Sequence, residues 1–106
     1  MVVSAKSGTV NYVEGQVLLN DQPVESSITK YPDMKENGVL RTGAGRVEVL
    51  LTPGTILRMG ENSALKMITN RLVDTRVELQ SGSAVVEQVE TAKDNHVTVV
   101  VQSGAV

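Results

Sequence analysis

Apolar and polar positions alternate with period two along much of the chain, and clusters of turn-forming residues interrupt the alternation. The clearest stretch is 38–69. There Val47 to Leu51 reads apolar, charged, apolar, apolar, apolar, and Thr55 to Met59 reads polar, apolar, apolar, charged, apolar. Both predict strands. Between them lies Thr52-Pro53-Gly54-Thr55, where proline presets φ at roughly −65° and glycine accepts positive φ, as a type II turn requires. Two-residue hairpins prefer the primed turns instead. The pattern therefore predicts a corner at which the chain changes direction or sheet, with a plain antiparallel hairpin as the simpler alternative. Gly43 and Gly45 bracket Ala44 just before the first strand, and Gly60 opens a further turn, Gly60-Glu61-Asn62-Ser63.

The same reading extends outward. Thr9 to Val13 alternates, Glu14-Gly15 turns, and Gln16 to Leu19 returns, which predicts a first strand pair. Asn20 to Pro23 is a second turn, and 24–38 is a long loop over the surface or over an open end of the core, held by Val24, Ile28 and Tyr31. Residues 62–72 admit two readings. Apolar residues at 64, 65, 68 and 72 suit a short helix capped by Asn62 or Ser63. Alternation of Leu65 and Met67 about Lys66 suits a strand, which is preferred because Leu57, Met59, Leu65 and Met67 then line one side across the Gly60 turn. Asn70 to Asp74 reads as a polar connector, Arg76 to Leu79 as a strand, Gln80 to Ser83 with Gly82 as a turn, and Ala84 to Val89 as its return. A charged loop, Glu90 to Asn95, precedes a last strand, His96 to Gln102.

Three pieces share a form: Arg46-Val-Glu-Val with Gly54, Arg76-Val-Glu-Leu with Gly82, and His96-Val-Thr-Val with Gly104. Repetition of strand and glycine corner suggests stacked coils, and a meander of short strands with glycine turns explains it equally well. If the units stack, Val47, Val49, Val77, Leu79, Val97 and Val99 face inward, and Arg46, Glu48, Arg76 and Glu78 face solvent. Like charges directly opposite cost up to roughly 1 kcal/mol. The register should therefore be offset, or an opposite charge such as Arg58 should stand between the glutamates.

Composition sharpens this picture. In 106 residues there are 19 valines, two tyrosines and no Trp, Phe or Cys, so one aliphatic, strand-rich domain spanning 1–106 is expected. A net charge of −2 argues against a phosphate-binding surface and hence against nucleic acid. Val99-Val100-Val101 is too short to cross a bilayer, and Met1 to Lys6 lacks a signal core. His96 is the only histidine and has no cysteine to join it at a metal. Ser81-Gly82-Ser83 lacks the nucleophile-elbow context. Gly43-Ala44-Gly45 has Glu48 where a dinucleotide loop needs its third glycine. Asp33, Glu36, Asp74 and Asp94 are solvated loop acids. No catalytic, cofactor-binding or metal-binding residue is expected, and no cofactor. The residues singled out are structural: Gly15, Gly43, Gly45, Pro53, Gly54, Gly60 and Gly82.

From Leu40-Arg-Thr-Gly-Ala-Gly-Arg through Pro53-Gly54 to Gly60-Glu-Asn-Ser63, the chain resembles the FecR-domain family of bacterial envelope proteins. Looser likeness at Val10 to Val17 and Val77 to Val85 extends this to about 8–90. The resemblance implies an all-β domain of rolled antiparallel sheets, short β-solenoid-like or sandwich-like, periplasmic or exported and engaged in protein contacts. In regulators of that family the domain helps relay a signal from a TonB-dependent outer-membrane receptor to a cytoplasmic sigma factor. This sequence shows no helical anti-sigma segment, membrane span or receptor-contact domain, so the resemblance carries the domain rather than the relay. It is closer to a stand-alone exported form, with another strand pair beginning at Gln102-Ser103-Gly104.

Two functions fit. A non-catalytic interaction module of the envelope needs no catalytic set and offers exposed strand edges to a protein partner or to a second copy. The alternative is a carbohydrate or small-ligand binder, for which Tyr12 and Tyr31 are the only aromatic platforms. An enzyme is not expected.

Overall fold

The structure is a computed structural model that describes residues 8–25, 32–52, 54–71, 73–88 and 96–102. The described residues form β1 (Thr9–Leu19), β2 (Gln22–Pro23), β3 (Val39–Thr52), β4 (Thr55–Met59), β5 (Ala64–Arg71), β6 (Asp74–Ser81), β7 (Ala84–Gln88) and β8 (His96–Val101), with no helix among them. The protein is all-β. Of the stretch with two readings, Ala64–Arg71 forms a strand, as the alternation of Leu65 and Met67 favours.

The long strand β3 organises the sheet. One of its edges pairs with β1 along Thr9 to Leu19. Its other edge has two partners in succession, β4 along Val47 to Thr52 and β5 along Val39 to Arg41. Since β6 pairs with β5 and β7 with β4, all antiparallel, β4–β5 and β6–β7 behave as two long strands, each interrupted near its middle. The interruptions fall at one level. Gly15 lies opposite Gly45, Gly43 O accepts from Asn62 N at 3.0 Å, and Gly60 N donates to Ser83 O at 3.1 Å. Across this crease an antiparallel meander becomes two lobes that share one core.

Several expectations change accordingly. Gly15 does not separate two paired strands; β1 is continuous through it, with a register shift between Gly15 and Val17. Gly82 is not a hairpin turn either, because β7 pairs with β4 and not with β6. Thr52 to Thr55 closes a plain antiparallel hairpin, Thr52 opposite Thr55. The change of direction expected there is made at the crease instead, so the chain simply returns beside itself. Asn70 to Asp74 is not simply a polar connector: Asn70 is buried opposite the buried Thr75, and Arg71 lies opposite Asp74, so both ends belong to paired strands. Only β6 and β8 run parallel, as stacked repeats would, and Arg76 faces Thr98 rather than His96, an offset of two residues.

Because partners across a sheet share a face, aliphatic rows run from strand to strand. One row is Val10, Val49, Leu57 and Val86, a second Val13, Val47, Met59 and Ala84, and a third Leu19, Leu40, Leu65, Leu79 and Val101. Their central members are essentially inaccessible to solvent, and rows from both lobes meet in a single cluster. Each such side chain contributes on the order of 1.5–3 kcal/mol of burial free energy. The opposite face alternates in charge: Glu48 faces Arg58 and Glu78 faces Lys66. The Arg46 and Arg76 units do not stack, because β5 lies between β3 and β6, so Glu48 and Glu78 are never neighbours and Arg58 pairs with Glu48 and Glu87 instead.

One end of the cluster is closed by the segment preceding β3. Met34 N donates to Gly8 O at 2.7 Å and Pro32 O accepts from Val10 N at 3.0 Å, while Asn37 N donates to Met67 O at 2.7 Å and Asn70 Nδ2 to Met34 O at 3.2 Å. The segment therefore ties β1 to β5 and seats the fully buried Met34 between them. It is the cover expected over an open end, and Val24 is buried beside β1, its N–H donating to Val17 O at 2.9 Å. Ile28 and Tyr31, expected to help hold it, lie outside the described residues.

Candidate interaction surface

Five of the seven singled-out residues converge on the crease: Gly15, Gly43, Gly45, Gly60 and Gly82. Gly54 sits in the β3–β4 hairpin, and Pro53 lies outside the described residues. Three of the five positions, Gly15, Gly45 and Gly82, leave no room for a side chain against neighbouring backbone. A Cβ on Gly45 would stand 2.5 Å from Gln16 N and 2.6 Å from Glu14 O, and one on Gly82, where φ is +82°, would stand 2.6 Å from Ser63 Cα. Hydroxyls stitch the gap left where the strands part. Thr42 Oγ1 donates to Gly60 O at 2.6 Å and accepts from Ser63 N at 3.0 Å; Ser63 Oγ accepts from Ser83 N at 3.0 Å. Thr42 and Ser63 are buried, so these bonds satisfy backbone groups that no ladder reaches. The sequence reading missed this stitch, although Asn62-Ser63 and Ser81-Gly82-Ser83 carried its signal as hydroxyls beside glycines.

The outer edges are unequally guarded. β2 is two residues long and ends in Pro23. β7 pairs with β4 alone and β8 with β6 alone among the described residues. Both are rich in exposed valine, with relative exposures of 64% at Val85, 44% at Val86, 42% at Val100 and 57% at Val101. Val86 and Val101 belong to the inward-facing rows, so each lobe ends on an apolar row that nothing described covers. Beside β7, Arg58 lies 3.4 Å from Glu48 and forms an ion pair with Glu87. Glu87, by its hydrogen bond and charge, and Glu48 more weakly hold the exposed guanidinium further toward its charged form.

The described residues do not assemble a chemical centre. No group of three or more His, Asp or Glu stands ready for a metal, and His96 is exposed on β8. Asp33 accepts from Thr9 Oγ1 at 2.9 Å and Asp74 from Arg76 Nε at 3.1 Å, which are structural roles. Of the two tyrosines, Tyr31 lies outside the described residues and Tyr12 donates its hydroxyl to Glu14 at 3.0 Å. No described helix is long and apolar enough to cross a membrane.

The architecture defines a class: an all-β domain, creased into two lobes, with exposed strand edges at β7 and β8. The chain belongs to the FecR family, whose model, described as FecR protein, matches residues 38–106. That match begins later and ends later than the likeness read from the sequence, leaving β1 and β2 outside it. Comparison with curated proteins gave no match, and neither did comparison with solved structures.

Proposed function

We propose that the chain is a non-catalytic protein-interaction module of the bacterial cell envelope, working on the periplasmic or exported side and receiving a partner segment along β7. The family is associated with the envelope and with transmembrane signalling in iron-uptake regulation; a part in sigma-factor-linked signalling is the finer form of the reading. One observation carries it. β7 presents Val85 and Val86 to solvent on opposite faces of an edge strand whose second side is unpaired among the described residues. An added strand gains main-chain hydrogen bonds there and covers both valines, while the Arg58–Glu87 pair offers a polar rim. No observation favours the carbohydrate alternative.

The experiment is recovery of partners from an envelope fraction on the immobilised chain, with Val85→Lys and Glu25→Lys compared in parallel. A reproducible protein partner retained by wild type and Glu25→Lys but lost from Val85→Lys supports the module. Equal retention by all three, or retention on glycans alone, overturns it.

A further inference from the structure

We propose that β8 is a self-complementary edge at which two copies of this chain join antiparallel about a two-fold axis at Val99, extending the β6–β8 lobe into a continuous sheet. This goes beyond the partner site on β7 and uses a different edge.

The backbone of β8 sets the register. His96 N donates to Val73 O and Gln102 N to Leu79 O, at 3.3 and 3.0 Å. Even-numbered residues thus address β6, and by the alternation of a strand the N–H and C=O groups of Val97, Val99 and Val101 address the open side. An antiparallel copy centred on Val99 sets Val99 opposite the partner's Val99 and Val97 opposite the partner's Val101. All three outward-addressing residues then fall in hydrogen-bonded pairs, on the order of six bonds in all. A centre shifted by one residue leaves Val101 opposite position 95 or Val97 opposite position 103, both outside β8.

The side chains agree with that register on both faces. On the inner face, Val77, Val99, the partner's Val99 and the partner's Val77 form one row, and Thr75, Val97, the partner's Val101 and the partner's Leu79 form the next. The exposed Val101 and half-buried Val97 and Val99 are thereby covered. On the outer face a row runs Arg76, Thr98, the partner's Val100, the partner's Glu78, so that its two ends carry opposite charge. His96 to Val101 contains no Lys, Arg, Asp, Glu, Pro or Gly. Its own sequence thus carries none of the charges, prolines or glycines that guard an edge strand, and no described residue covers it, whereas β2 has Pro23 and β7 has Glu87. A heterologous strand would gain the backbone bonds, but only a second copy is shown to match both faces.

The chain lacks cysteine, so a single introduced thiol can form only an intermolecular disulfide. Residues directly opposite in a hydrogen-bonded pair have Cα atoms about 5.5 Å apart, within disulfide reach, whereas two copies of position 97 would be separated by roughly 13 Å along the strands. Val99→Cys is therefore expected to cross-link efficiently on mild oxidation and Val97→Cys poorly. Sedimentation velocity on the unmodified chain should show a monomer–dimer equilibrium. Val99→Pro, which removes an N–H that β6 does not use, and Val101→Lys, at a position already exposed, should each weaken it by about tenfold or more. Circular dichroism identifies any variant that fails to fold. If Val99→Pro fails, Val101→Lys and the cysteine pair carry the test. A monomer at every concentration, equal cross-linking at 97 and 99, or a dimer indifferent to Val101→Lys overturns the proposal. Val85→Lys on β7 should leave the dimer intact, so the two edges succeed or fail separately.

Discussion

At the scale of single residues, the crease makes the strongest demands. Gly82 combines positive φ with a Cβ position 2.6 Å from Ser63 Cα, while a Cβ on Gly60 would meet only Ser83 Oγ at 3.0 Å, the movable end of a side chain. Gly82→Ala is expected to lose about 2 kcal/mol or more and Gly60→Ala less than half of that, read as the shift in urea midpoint at unchanged m. Thr42 tests the stitch rather than the space. Thr42→Val keeps the shape but leaves the buried Ser63 N–H unpaired, at a cost of roughly 1–3 kcal/mol, and Thr42→Ser should recover most of it. These glycines were legible as special positions because few other residues supply such backbones. Their shared location was not, since a glycine that turns a strand back and one that creases it look alike in sequence. What separates the cases is whether the flanking strands pair with each other, and that is decided by residues far along the chain: Gly15 is answered by Gly45, and Gly82 by Ser63.

Single elements were read well where their pattern was strict. Leu65 and Met67 about Lys66, continuing Leu57 and Met59 across Gly60, identify β5 as a strand, and all four side chains are buried. The partners of each strand were harder to read, because a period of two specifies which face is apolar but not which neighbour lies alongside. β7 illustrates this: Ala84 to Gln88 looks like the return of β6, yet the turn at Gly82–Ser83 is captured by Ser63 Oγ and Gly60 N, which carry the chain over the crease to β4. Charge is the usable cue to pairing. Lys66 stands opposite Glu78, so Lys66→Glu should destabilise by about 0.5–1 kcal/mol, an effect that shrinks in high salt and is largely reversed by adding Glu78→Lys. A double-mutant cycle followed by urea unfolding measures that coupling, and additive effects would contradict the register.

At the scale of the whole molecule, the family match and the folding unit do not coincide. The match covers residues 38–106, but one edge of β3 is covered by β1 at nine register positions, and β1 delivers Val10, Val13 and Val17 to the shared core. The segment from Pro32 to Asn37 adds Met34 and joins β1 to β5. Without residues 1–37, β3 would expose the hydrogen-bonding groups of a long central strand and the core would lose five buried apolar side chains, Val10, Val13, Val17, Val24 and Met34. Losses of that kind amount to several kcal/mol, comparable with the total stability of a small domain of about 5–15 kcal/mol. A chain limited to residues 38–106 should therefore show no cooperative urea transition and poorly dispersed amide resonances, whereas residues 8–106 should unfold in one step. Addition of a peptide spanning residues 8–38 should restore dispersion in the shortened chain, because that segment contains both the β1 edge and the Met34 plug. A stable, cooperatively unfolding 38–106 fragment would mean that the creased sheet does not need β1. The continuous Val10, Val49, Leu57 and Val86 row would then be two independent packings rather than one.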